Sequence, residues 1–162
     1  MKVFRLSKAE FSGDLSGKGA EIAGGRWNPK GIAVVYTSDS RALCMAEVAV
    51  HIPVGLIPKD YKIVEIEIPE DKILEVSKES LPENWNAYPE IIETKKIGEE
   101  WVKSSEFLIL KVPSAVVEGD FNYLINPRNK DINQVKINSV KEFRFDSRLF
   151  QNKTINECSF RH

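Results

Sequence analysis

Apolar and polar positions alternate over residues 2–6 (KVFRL), the period of a half-buried strand, with Arg5 among apolar neighbours. Residues 7–25 hold Gly13, Gly17, Gly19, Gly24 and Gly25 among small and polar residues and read as one long loop. A loop that long inside a domain is either a flexible surface excursion or a segment with a task. It leads straight into Arg26 and Trp27, and Asn28-Pro29-Lys30-Gly31 then makes a turn. Residues 32–37 have the β-branched density of a buried strand. Ser38, Asp39 and Ser40 are all good N-caps, so a helix is expected from here to about His51, with Leu43, Ala46, Glu47 and Val50 on one stripe.

Residues 61–68 (YKIVEIEI) form a second alternating strand, and residues 69–76 a turn with a short strand. Residues 81–89, with two prolines and Trp85 among asparagines, are a connector. Residues 89–103 suit a helix with Ile91, Ile92, Ile97 and Trp101 inward, where Gly98 marks a place of close packing. Residues 107–112 (FLILKV) are a buried strand, extended by Val116-Val117 before a turn at Gly119-Asp120. Residues 122–127 (NYLINP) are a short apolar patch, and 135–137 and 142–145 look like closing strands. Several strands with only two helices predict an α+β fold, a single mixed domain over residues 1–149, followed by a loosely held tail at 150–162.

The 162 residues suffice for one domain with a real core, and 42% hydrophobic with 29% charged residues is ordinary for a soluble globular chain. A net charge of −1 argues against general binding to nucleic acid or to a membrane surface. No apolar run approaches the roughly 20 residues of a membrane span, and nothing at the N-terminus reads as a signal peptide, so the expected location is the cytoplasm. Cys44 and Cys158 lie far apart, as reduced thiols do, and with only His51 and His162 beside them no metal site is expected.

Glu47 is the anomaly of the pattern: a carboxylate where the helical stripe asks for an apolar residue. It is either a helix-edge glutamate reaching water or an arginine, or the acid of a site. A Ser-His-Asp set drawn from Ser114 and His51 lacks the G-x-S-x-G elbow. Ordinary glycoside hydrolysis wants two carboxyls, and only one stands out. The glycine spacing fits neither a P-loop nor G-x-G-x-x-G. One reaction does suit a single acid with arginines. The nicotinamide of NAD is already cationic and leaves as a neutral molecule, so its bond to ribose breaks without a general acid. Positive charge then develops on the sugar, where a carboxylate in a low-dielectric site favours the transition state. Arginines grip the diphosphate, glycine-loop N–H groups assist, and Tyr36 or Trp27 can stack on a ring.

The runs GGRWNPKG (24–31), VVYTS (34–38), VPSAVV (112–117), NYLINP (122–127) and FRFDSRL (143–149), with Glu47 on the intervening helix, together resemble the RES domain family over residues 3–149. The resemblance implies a fold similar to ADP-ribosyltransferases of the diphtheria-toxin type. It implies a bacterial toxin that consumes NAD as substrate, with no retained cofactor, by hydrolysis, by phosphorolysis or by moving ADP-ribose onto a protein. A silent nucleotide-binding member acting only in complex formation is the alternative. The implied partner is an antitoxin with a helix-turn-helix region that blocks the cleft, in a hetero-oligomer containing a toxin dimer. Carried over by motif, Arg5 lines the cleft, Arg26 holds the pyrophosphate and Tyr36 faces the nicotinamide end. Glu47 and Ser114 match the glutamate and serine of the family name, and Asn126 belongs to its NP motif as a substrate-binding residue. Two departures stand out: Phe4-Arg5 where many members have Tyr-Arg, and Arg128-Asn129-Lys130 where members often have His-Pro.

Overall fold

The alternation of residues 2–6 produces β1 (Lys2–Lys8), whose Val3 faces one side of a sheet while Phe4 and Leu6 face the other. In chain order there follow α1 (Lys18–Ala23), β2 (Val35–Ser38), α2 (Arg41–Ala49), β3 (Tyr61–Glu67) and β4 (Ile73–Glu75). Then come α3 (Ile92–Ser104), β5 (Ile109–Pro113), β6 (Phe121–Ile125) and β7 (Lys136–Phe143). The computed structural model describes residues 1–151. All seven strands form one mixed sheet in the order β4-β5-β6-β2-β1-β3-β7, with β4 and β5 parallel and the remaining pairs antiparallel.

The register of the sheet explains where a site can form. β1 pairs with β3 along its whole length, and β2 with β6 from Val35↔Ile125 to Ser38↔Asn122. β1 and β2 meet only at Phe4↔Ser38. Beyond that point the two central strands part, and the sheet opens in its middle.

One face of the sheet is closed by a core of Val3, Val35, Val64, Ile66, Ile109 and Ile125. The opposite face carries two separate cores. Trp27, Trp85 and Trp101 join Leu110, Val112 and Leu124 around α3, while Phe4, Leu6, Cys44, Ile63, Phe145 and Phe150 gather around α2. α2 starts with Ser40 Oγ accepting the Leu43 N–H at 3.1 Å, a cap whose removal costs about 1 kcal/mol. Its Leu43 and Cys44 are buried against the sheet, which leaves Glu47, one turn on, half-buried at the rim.

Several expectations are corrected by the structure. The loop of residues 7–25 contains α1. Regular pairing in the second strand begins only at Val35, because the Ile32 carbonyl accepts from Asn28 Nδ2 instead of joining the ladder. The NYLI patch is a central strand, β6, and the two closing strands are one, β7, with a bulge opposite Glu65 and Ile66. Ile92 points outward, since Thr94, Gly98 and Trp101 form the buried stripe of α3. Val116 and Val117 sit in a turn rather than in the sheet. Phe150, assigned to the tail, is 5% exposed and packs edge-on against Phe145; the rest of the tail, 152–162, lies outside the described residues.

Candidate active site

Glu47 projects from α2 over the end of β6, and two donors converge on one of its oxygens. Ser114 Oγ donates to Oε1 at 2.7 Å and Asn122 Nδ2 donates to the same atom at 2.6 Å. Hydrogen bonds to an ionised group contribute roughly 1.5–3 kcal/mol each, which is ample to fix the carboxylate. Ser114 follows Pro113 at the end of β5, and its Oγ accepts the Val116 and Val117 N–H groups at 3.1 and 3.0 Å. With both lone pairs engaged, its proton is directed at Glu47.

The carboxylate lines a cleft of about 910 Å³, near the top of the roughly 300–1,000 Å³ typical of small-molecule sites. The cleft lies where β1 and β2 part. Arg5 and Leu6 come from one strand, Tyr36, Thr37 and Ser38 from the other, and Gly24, Gly25 and Arg26 from the loop. Glu47 and His51, one turn apart, face it from α2 and the turn that follows.

Neither arginine forms an ion pair with Glu47 among the described residues, which removes the structural-pair reading. Arg26 Nη1 donates to the carbonyls of Trp85 and Ala87 at 2.8 and 3.0 Å, while Arg5 Nη1 donates to the carbonyls of Asp14 and Phe11. Burial lowers the Arg5 pKa from its ordinary value, with a smaller opposing pull from Asp14. Both guanidiniums are held by backbone carbonyls and form no salt bridge among the described residues, an arrangement that leaves positive charge at the cleft.

Tyr36 lines the cleft with its ring, but its hydroxyl serves the loop. It donates to Asn28 Oδ1 at 2.7 Å and accepts the Trp27 N–H at 3.1 Å. Burial raises its pKa well above the ordinary tyrosine value, so the hydroxyl stays protonated. Asn28 is fully buried and also donates to the Ala20, Pro29 and Ile32 carbonyls, which makes the GGRWN turn rigid. At Gly25 a Cβ would stand 2.6 Å from the Tyr36 hydroxyl, so only glycine fits beneath it. Trp27 is 2% exposed and packs on Trp85, a core residue rather than a stacking platform.

Asn126 is the one expected site residue that the structure places away from the others. It is fully buried outside the cleft lining, with Nδ2 donating to the Val102 carbonyl and Oδ1 accepting the Arg128 N–H. It ties the end of β6 to α3. The asparagine that reaches the acid is Asn122, four residues earlier, whose Oδ1 accepts from Ser38 Oγ at 2.7 Å. The sequence signals turns at both asparagines.

Fold and cleft together define a mixed α/β protein with a hydrogen-bonded carboxylate and two arginines around an opening in its sheet. The RES domain family model matches residues 2–147, and the chain belongs to that family. It is 38% identical over 141 residues to the Prs ADP-ribosylating toxin of Sphingobium sp. (strain YBL2), covering 85% of this chain and 88% of the relative. It is 40% identical over 152 residues to Toxin Res of Yersinia enterocolitica, covering 92% and 99%. Among solved structures it resembles a chain of the Mycobacterium tuberculosis MbcT-MbcA toxin-antitoxin complex, with a TM-score of 0.72, 18% identity, and 88% and 84% of the two chains covered. No helix among the described residues is long and apolar enough to cross a membrane.

Proposed function

We propose that this protein is the toxin of a toxin–antitoxin pair and cleaves the nicotinamide–ribose bond of NAD. The observation that carries the reading is Glu47, fixed through one oxygen and set in a cleft with two arginines that form no salt bridge among the described residues. In this mechanism the diphosphate rests between Arg5 and Arg26, and the ring of Tyr36 borders the nicotinamide end. The C1′–N bond breaks, nicotinamide leaves with the bonding electrons as a neutral molecule, and Glu47 stabilises the cation left on the ribose. An oxygen acceptor then adds to C1′ and gives up its proton. The sheet, opened between two central strands, agrees with a fold similar to ADP-ribosyltransferases of the diphtheria-toxin type.

Water or phosphate is the acceptor in the first reading. Transfer onto a protein is the second, favoured by the relative named for ADP-ribosylation. The partner is an antitoxin with a helix-turn-helix region that covers the cleft, in a hetero-oligomer containing a toxin dimer; the toxin-antitoxin complex among similar structures supports this. Incubating the purified protein with NAD, with and without phosphate, tests the reaction: free nicotinamide is expected. Adenine-labelled NAD in a cell lysate separates the acceptors, since label on protein means transfer and label in small products means hydrolysis or phosphorolysis. Unchanged NAD under all these conditions overturns the proposal.

A further inference from the structure

Glu47 receives one hydrogen bond from Asn122, the residue that opens the NYLINP run and to which the sequence assigned no role. Ser38 and Asn122 stand directly opposite each other across β2 and β6, and Val112 faces Asn122 from β5. This places the Asn122 side chain between the buried Ser38 hydroxyl and the acid on α2. Ser38 Oγ donates to Oδ1 at 2.7 Å, and Nδ2 donates to Glu47 Oε1 at 2.6 Å. The amide cannot be turned around, because a carbonyl oxygen at that distance from a carboxylate sets two acceptors against each other. Ser114, on the neighbouring strand, approaches the same Oε1 at 2.7 Å.

One donor alone would leave the carboxylate free to rotate about its terminal bond. Two donors from two strands fix its plane. Oε1 then has both lone pairs engaged, while Oε2 has no hydrogen-bond partner among the described residues. We propose that Asn122, oriented by Ser38, is a positioning residue for Glu47, holding Oε1 so that Oε2 is the oxygen presented to the developing sugar cation. The proposal rests on the NAD-cleavage reading and adds to it a residue and a division of labour between the two carboxylate oxygens.

A merely structural asparagine would affect stability and leave turnover per folded molecule unchanged. A positioning asparagine affects kcat and the pH profile. Asn122→Ala is expected to lower kcat for nicotinamide release about tenfold to hundredfold, with KM for NAD within about threefold of wild type. Ser38→Ala, which removes the donor on Oδ1 and leaves the amide held at the Glu47 end alone, is expected to lower kcat by a smaller factor. Asn122→Asp sets two carboxyl groups at hydrogen-bond distance, where they share a proton and cannot both ionise without cost. Glu47 works as the anion, so this variant needs higher pH to reach it. Its rising limb of kcat against pH therefore moves upward by about one unit or more.

The other ionisable groups of the cleft are Arg5, Arg26, Tyr36, Cys44, His51, Tyr61, Tyr88 and Glu90, and all are common to both proteins. The difference between the two profiles therefore reports the new pair. Thermal melting of each variant establishes that it is folded. An Asn122→Ala protein with wild-type kcat, or an Asn122→Asp protein with an unmoved limb, overturns the proposal. Absence of nicotinamide release from the wild type overturns the NAD reading instead. Carbon-13 titration of the Glu47 carboxyl then still decides the coupling: an upward displacement in Asn122→Asp upholds it, and an unchanged titration refutes it.

Discussion

Arg26 shows how one side chain serves two surfaces. Its Nη1 grips two carbonyls of the 81–90 connector, and the rest of the planar fork faces the cleft. Lysine has a point charge and no fork, so it cannot hold the connector and reach a phosphate together. Arg26→Lys is expected to raise KM for NAD roughly tenfold with a smaller change in kcat, read from initial rates of nicotinamide release. An unchanged KM would remove Arg26 from the anion site. Cys44 lies in the cleft wall but is inert. Burial pushes its thiol up to about 11, and its Sγ–H donates to the Phe4 carbonyl. Since thiolate is the reactive form, the Cys44 peptide should be alkylated at pH 8 about a hundredfold more slowly in native than in urea-unfolded protein. Reactivity should appear only as pH rises toward that value. Rapid native alkylation at pH 8 would contradict the buried placement.

At the scale of elements, the loop of the GGRWN motif is seated by α3. A Cβ at Gly98 would stand 1.6 Å from the Trp27 carbonyl oxygen, so helix and loop backbones touch there. Gly98→Ala has to displace the loop that carries Arg26, at a cost of about 3 kcal/mol or more. Thermal melting should show a clear fall in Tm; an unchanged Tm would mean that the contact yields freely. The sequence announced this contact only as a glycine inside a helix. It announced β1, β3 and β5 through apolar alternation, and Glu47 through the break in its stripe. It hid α1 among loop glycines, and it hid β6, whose three apolar or aromatic residues between Asn122 and Asn126 read only as a short apolar patch. Asn122, opening that run, therefore gave no sign of its contact with the acid. Local pattern carries no record of which strand lies opposite Ser38, and only that pairing brings an asparagine to the acid.

For the whole molecule, the decisive feature is a sheet continuous at both flanks and open at its centre, with β1 and β2 joined only at Phe4↔Ser38. The two cores on the helical face hold the walls of the opening apart, one built on Trp27, Trp85 and Trp101, the other on Phe4, Phe145 and Phe150. A chain of net charge −1 thereby gathers Arg5 and Arg26 with Glu47 and Glu90 in a single cleft. The central claim is that Glu47 acts by its charge on the ribosyl centre. Glu47→Gln keeps the shape and removes the charge, so the direct measurement is its single-turnover rate of nicotinamide release from NAD beside that of the wild type. The account predicts a fall of at least about a hundredfold, with NAD binding and Tm retained. A Glu47→Gln protein that releases nicotinamide at the wild-type rate would contradict it.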